Sequence, residues 1–292
     1  MNRIVDAHHH IWDLTAAHYP WLGPEAGPLY RSFELDETAG ARQSHGIDAV
    51  ILVQAADNDE DTAHLLSAAR AKPDVAGVVA WTPLDDGEGT RRRLSEWAHQ
   101  DAPVVGIRSL LHERQDTRWI LSPAVEKGVR AIADAGVPLD YVTADHNALA
   151  HLPELTARHP DLVVVVDHLG KPPIGGDRES FADWRRLLLA AARSPRVHAK
   201  LSGLYPADGP LDSWQVKDIR PFVDTAIEIL GPSRLLMGSD WPISELAGGY
   251  ERTWDALAST VASLSESERR DVMGGTADRV YGRRGAERGS LD

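Results

Sequence analysis

A single-domain α/β protein, a (β/α)8 TIM barrel, is the fold class this sequence predicts, and three observations predict it. Eight short apolar runs recur along the 292 residues. A longer polar or amphipathic stretch follows each of them. Several runs are near-continuous Val, Ile and Leu, as parallel strands buried on both faces require. Eight alternating strand and helix patterns favour a closed barrel over a doubly wound open sheet. An open nucleotide-binding sheet would show a Gly-rich phosphate turn after its first strand, and none is present here.

In chain order, the runs are RIVDAHHHI (3–11), DAVILVQA (48–55), VAGVVAWTPL (75–84), VVGIRSLL (104–111), VPLDYVT (137–143), LVVVVDHLG (162–170), RVHAKLSGL (196–204) and RLLMGSDWP (234–242). The stretches between them carry helix signals. DEDTAHLLSAARAKPD opens on acidic residues and closes on Lys-Pro. SPAVEKGVRAIADAG has Pro at its start and Gly at its end. FADWRRLLLAAARSP and RPFVDTAIEILGPSR follow the same plan, and ERTWDALASTVASL and SESERRDVMGGTADRVYG add two helical patterns at the end. Segment 12–47 is the one long irregular insertion, expected to lie over the C-terminal mouth of the barrel, where substrates bind. The barrel is assigned to 1–282, with 283–292 as a frayed tail.

Composition narrows the chemistry. There is no cysteine, which excludes disulfides, zinc-thiolate sites and thiol nucleophiles. A net charge of −13 argues against a nucleic-acid or anionic-membrane surface. No apolar run reaches the roughly 20 residues that span a bilayer, and the N-terminus lacks the marks of a signal peptide. The cytoplasm is the expected location, and a small molecule the expected partner.

In a parallel barrel the chemistry sits at strand C-terminal ends and in the loops after them. The first run ends Asp6-Ala7-His8-His9-His10. A period of two puts Asp6, His8 and His10 on one face, with Ala7 and His9 on the other. Two imidazoles at i, i+2 can ligate one metal ion or hold a polarised carbonyl. The sixth run ends in Asp167 and His168 after four valines, a polar pair that needs partners. The eighth offers Asp240, a carboxylate able to bind metal or accept a proton from attacking water. Arg108 interrupts the apolar fourth run. It is either a clamp for a substrate anion or half of an internal ion pair, with Asp140 or Asp6 as partner. Gln54, Trp81, Lys200 and Ser202 are weaker candidates. Trp12, Trp21, Trp81 and Trp241 fall near mouth loops, where flat aromatic surfaces suit sugar rings or planar substrates, and Tyr19 lies in the same insertion as Trp12 and Trp21.

Taken together, D-x-H-x-H (Asp6, His8, His10), DH-x-GKP (His168) and GSDWP (Asp240) resemble the amidohydrolase superfamily. YPWL (19–22), GIR (106–108), DHLGKPP (167–173) and KLSGL (200–204) resemble its family-2 branch, which includes lactonases of sugar acids such as L-fuconic and L-rhamnonic acid and of 2-pyrone-4,6-dicarboxylate. The likeness spans nearly the whole chain. It implies hydrolysis of a lactone ring, with Asp240 as general base and His8, His10 and His168 polarising the carbonyl. The expected substrate contacts, from their places at strand ends and mouth loops, are Arg108, Trp12, Tyr19, Gln54, Trp81, Lys200 and Trp241. Two departures from the binuclear pattern limit the metal. The fourth strand offers Arg108 and Ser109 in place of a bridging Lys or Glu, and His146 comes late for the fifth-strand ligand. His8, His10, His168 and Asp240 are left to hold at most one divalent ion, expected to be zinc and dispensable in some lactonases of the group. The rival readings are a metal-dependent decarboxylase of an aromatic or unsaturated acid and a non-catalytic barrel that binds sugar acids.

Overall fold

A computed structural model describes residues 3–206 and 210–282. All eight apolar runs form strands: β1 (Val5–His9), β2 (Ala49–Val53), β3 (Val75–Ala80), β4 (Val104–Ser109), β5 (Leu139–Tyr141), β6 (Val164–Val166), β7 (Val197–Leu201) and β8 (Leu235–Met237). They pair in parallel in simple sequence order. Closure between the first and last strands lies just beyond β8, at the mouth. The Asp240 amide donates to the His8 carbonyl at 2.9 Å, and the His10 amide donates to the Trp241 carbonyl at 2.7 Å. The seam of the barrel therefore runs through the candidate site.

The helices are α1 (Ala39–Ser44), α2 (Asp59–Ala71), α3 (Gly87–His99), α4 (Glu126–Ala135), α5 (Leu152–Arg158), α6 (Arg178–Ala191), α7 (Val216–Leu230), α8 (Tyr250–Thr260), α9 (Glu266–Arg270) and α10 (Thr276–Tyr281). Their starts are capped as their sequences suggest. The side chains of Asn58, Asp86 and Asp177 each accept an amide of the first turn. Gly136 ends α4 at φ 66°.

Three expectations about elements are corrected. The insertion 12–47 is not wholly irregular, because it ends in α1 and is folded back by a two-way backbone bond between Trp12 and Phe33. Helix α7 starts at Val216, upstream of the Arg-Pro pair, since a Gln215–Asp218 capping box opens it and Pro221 still falls early in the helix. The last helical pattern is broken by a π turn, Asp271–Gly275, where Gly274 packs against the backbone of Arg3 and Val5. The tail assigned to 283–292 lies outside the described residues.

Two apolar layers result. The larger packs the outer faces of the strands against the helices. The smaller fills the barrel itself, with Val5, Ala7, Ile51, Val53, Val79, Val105, Val165 and Leu236 meeting Ala277 and Tyr281 of α10, which plugs the closed end. The polar residues Asp140 and Lys200 sit above this plug and below the mouth. Tyr281 reaches up to donate to Asp140 at 2.8 Å.

Candidate active site

The face pattern of β1 differs from a plain alternation. Its register with β2 shifts between Asp6 and His9, a local irregularity. Ala7 belongs to the barrel interior, yet His8 also points inward. Asp6 turns outward and is not on the face of His8 and His10. It accepts from Tyr250 of α8 at 3.0 Å and from the Ser239 amide at 2.8 Å, and pairs with His9 at 3.0 Å. The extra inward residue breaks the alternation between Ala7 and His8, so His8 and His10 share the inner side while Asp6 falls on the opposite one. Asp6 is thereby left as the clasp that joins β1 to α8 and to the turn after β8.

Four side chains meet at the mouth. His8 Nε2 lies 3.0 Å from His10 Nε2. Asp240 Oδ1 lies 3.6 Å from His8 Nε2, 3.7 Å from His10 Nε2 and 3.7 Å from His168 Nε2. His10 Nδ1 donates to the Val53 carbonyl at 2.7 Å, so its Nε2 presents a lone pair to the cluster. His168 Nδ1 meets the Ser202 hydroxyl at 2.9 Å, which orients the third ring.

The backbone around this cluster is unusual. His168, Leu169, Lys171 and Asp240 all have φ between 53° and 57°. Four non-glycine residues in the left-handed region at one site are a cost that the surrounding structure must hold. The turn after β6, Asp167–Gly170, bends the chain sharply and aims His168 inward. Gly203, at φ +55°, passes directly beneath. A Cβ there would strike the His168 ring and lie 2.7 Å from Asp240 Oδ2.

Electrostatics separate the groups by task. Burial pushes the Asp240 carboxyl up to about 7 against the pull of Lys171 and Arg108. Burial holds His8, His10 and His168 well below the usual histidine range, aided by Lys200, Arg108 and Lys171 respectively. The three imidazoles are therefore neutral. Asp167 is the opposite case: burial raises it, but Lys200, His8 and Arg108 together hold it well below the usual carboxylate range.

Beneath His8 lies a fully buried ionic chain. Lys200 Nζ lies 3.1 Å from His8 Nδ1 and 3.1 Å from Asp167, and it also pairs with Asp140. Arg108 donates to Asp167 at 3.0 Å and comes within 3.2 Å of His8 Nε2. Asp167 is thus the internal partner of Arg108. Asp140 and Asp6 are not, since Lys200 and Tyr281 occupy the first and the outward clasp holds the second.

A cavity of about 350 Å³ opens over the cluster. His10, His168, Asp240, Arg108 and Trp12 line it, as do Trp21, Leu110, His112, Glu113, Thr143 and Lys171. Five expected substrate contacts do not reach it. The Tyr19 hydroxyl is turned to Asp61 at 2.9 Å, and Trp21, two residues along, takes the wall position. Gln54 bridges to Asp57 and the Arg108 carbonyl, tying β2 to β4. Arg93 stacks over Trp81 at 5.6 Å. Lys200 is sealed under His8. Trp241 packs edge-on against Phe33. His146, the late candidate for a fifth-strand ligand, lies in a neighbouring chamber. Sequence reasoning missed His112 and Glu113 because nothing in LLHER distinguishes a wall from an exposed turn.

His8, His10 and Asp240 form a group whose ligand atoms lie within 4.8 Å of one another and could hold a single divalent ion, with His168 Nε2 3.7 Å from the same Asp240 oxygen. Tetrahedral ligands at about 2.05 Å from zinc stand roughly 3.4 Å apart. The His8–His10 separation of 3.0 Å and the 3.6–3.7 Å separations from Asp240 to the three imidazoles bracket that value. Neutral imidazoles with a carboxylate are the right chemistry for such an ion. Arg108 beside His8 sets a positive charge next to the same spot, which weakens the hold.

Comparisons with known proteins agree with this geometry. Residues 5–283 match the family model described as Amidohydrolase. The chain is 32% identical over 284 residues to an L-fucono-1,5-lactonase of Burkholderia ambifaria, covering 95% of this chain and 94% of that protein. An L-fucono-1,5-lactonase of Burkholderia multivorans is 32% identical over 285 residues, 95% of each. The crystal structure of a Burkholderia multivorans amidohydrolase with bound zinc superposes with a TM-score of 0.89 at 30% identity, over 96% of this chain and 99% of that one. The barrel, its mouth cluster and these matches along nearly the whole chain identify it as a member of the amidohydrolase family.

Proposed function

We propose that the protein hydrolyses the lactone ring of a sugar acid, with L-fucono-1,5-lactone as the leading substrate. The observation that carries this reading is Asp240: a carboxyl raised to about 7, ringed by three neutral imidazoles at the wall of the cavity. A base of that strength takes a proton from water near neutral pH. Asp240 accepts the proton as water attacks the lactone carbonyl. Negative charge then grows on the carbonyl oxygen, and the side chains around it, Arg108 among them, are set to meet it. The ring C–O bond breaks, the proton passes to the departing ring oxygen, and an acyclic hydroxy acid results. Arg108 is also placed to hold the new carboxylate.

His8, His10, His168 and Asp240 are the residues that would hold a divalent ion, zinc by their nitrogen-rich set. Bound there, the ion supplies polarisation of the carbonyl. The other parts of the site stand without it, so the ion is proposed as an aid to turnover. Dialysis against chelator is expected to leave measurable lactonase activity; complete loss, restored by zinc alone, would overturn that part. The decarboxylase reading is not favoured, because the β5 end offers no ligand to the cluster. A non-catalytic barrel is not favoured either, because Asp240 and all three imidazoles converge.

The test is steady-state hydrolysis of L-fucono-1,5-lactone followed with a pH indicator. Asp240→Asn should lower kcat by about 10³-fold with an unchanged far-UV spectrum. Turnover within a few-fold of wild type would remove Asp240 from the mechanism.

A further inference from the structure

The turn after β4 holds two solvent-accessible polar side chains that make no internal bond among the described residues. A 3-10 turn, Leu111–Glu113, follows the strand that carries Arg108. His112 and Glu113 both line the cavity. Neither side chain makes a hydrogen bond or ion pair with the described residues. Their neighbours, in contrast, are firmly committed. Asp57 accepts from Ser109 Oγ at 2.9 Å, from the Leu110 amide at 2.9 Å and from Arg114 Nη2 at 3.0 Å. One carboxylate therefore pins the turn on both sides, while the two side chains between the pins are left to face the cavity. Both side chains are thus held on a pinned turn at the cavity wall, accessible and free of internal commitments, where a bound molecule would meet them without reordering the backbone.

We propose that Glu113 and His112 are specificity-determining residues that read the hydroxyl groups of a neutral, polyhydroxylated lactone. The inference rests on the lactonase reading above and names what selects the substrate. A carboxylate accepts from two neighbouring hydroxyls at once. Burial, with Arg108 nearby, holds His112 down to about 4, so its ring stays neutral and offers one donor and one acceptor. Trp12, Trp21, Leu110, Val142 and Ile243 supply the apolar remainder of the wall. Glu113, with Asp57 behind it, sets negative charge at this turn, away from Arg108 and Lys171, so a lactone that directs a carboxylate at the turn is disfavoured. Selection against such substrates is thus built into the turn that welcomes hydroxyls.

The experiment compares kcat/KM for L-fucono-1,5-lactone with that for δ-valerolactone, which has the same ring size and no hydroxyls. The readout is the ratio of the two. Glu113→Ala is expected to lower that ratio by about 10- to 100-fold, mostly through KM on the hydroxylated lactone. Glu113→Gln keeps a hydrogen-bonding amide and should recover part of the loss, and His112→Ala should lower the ratio less. Glu113 is exposed to the cavity, so thermal melts of the variants should match wild type. An unchanged ratio in Glu113→Ala, with normal wild-type turnover, overturns this inference alone. Wild-type protein that opens neither lactone overturns the lactonase reading and this inference with it.

Discussion

Asp240 and Gly203 show how single residues set the chemistry. Asp240 ionises with a midpoint near 7 because its burial outweighs Lys171 and Arg108. Its carboxyl is raised, so the proton returns as pH falls through that value and the proposed general base is lost. The logarithm of kcat/KM is therefore expected to fall below pH ~7 with a slope approaching one and to level off above it. A flat profile from pH 5 to 8 would contradict the assignment of the base. Gly203 has a double reason to be glycine: a left-handed backbone, and a hydrogen that faces His168 and Asp240 Oδ2. Gly203→Ala should cost about 1–3 kcal/mol of stability and reduce kcat by displacing both groups. Calorimetry and turnover on the same sample check both effects. The identity of His8, His10, His168 and Asp240 as the mouth cluster is readable in the sequence, since each ends an apolar run. The outward turn of Asp6 is not, because a register shift leaves no mark in DAHHH itself.

At the scale of elements, the loops after β1, β2 and β4 work as one unit. Asp57 of the second holds the fourth through Ser109, Leu110 and Arg114, and Gln54 adds a bond to the Arg108 carbonyl. Trp12 and Trp21 of the first loop close the same cavity. Asp57→Ala should free the turn that carries His112 and Glu113. KM for a sugar lactone is expected to rise about tenfold, with kcat less affected, and stability to drop by about 2–3 kcal/mol. Steady-state kinetics and urea melts measure the two; a kcat collapse with unchanged KM would show that Asp57 acts on the chemistry instead. The existence of strands and helices follows from apolar periodicity. The start of α7 and the break between α9 and α10 do not, because capping and backbone packing overrode the Pro and Gly signals there.

The whole molecule is organised around a polar axis inside an apolar barrel. Tyr281 of the closing helix bonds Asp140, Asp140 pairs with Lys200, and Lys200 reaches His8 and Asp167. The closed end of the barrel is thereby joined to the mouth cluster through buried charges. Lys200→Met should leave Asp140 and Asp167 without their shared cation and destabilise the fold by about 3–5 kcal/mol. Guanidinium unfolding tests this; a loss under 1 kcal/mol would mean that the two carboxylates find other compensation. Lys200 was expected at the substrate. Its true place is under His8, because a position at the end of a strand does not say how deep into the barrel a long side chain turns.

The sequence by itself determined the barrel, the order of its strands, and the four residues that converge at its mouth. Those properties follow from local rules: apolar runs make buried strands, helices between them force parallel pairing, and polar residues after apolar runs fall at one end. Only the tertiary structure decided which polar groups face the cavity and which face each other. Trp21, His112, Glu113 and Lys171 line the cavity, whereas Tyr19, Gln54, Trp81, Lys200 and Trp241 are spent on Asp61, Asp57, Arg93, His8 and Phe33. Each of those choices depends on a partner far away in the chain. A hydrogen bond between distant residues is settled by packing, and periodicity along the chain carries no record of it.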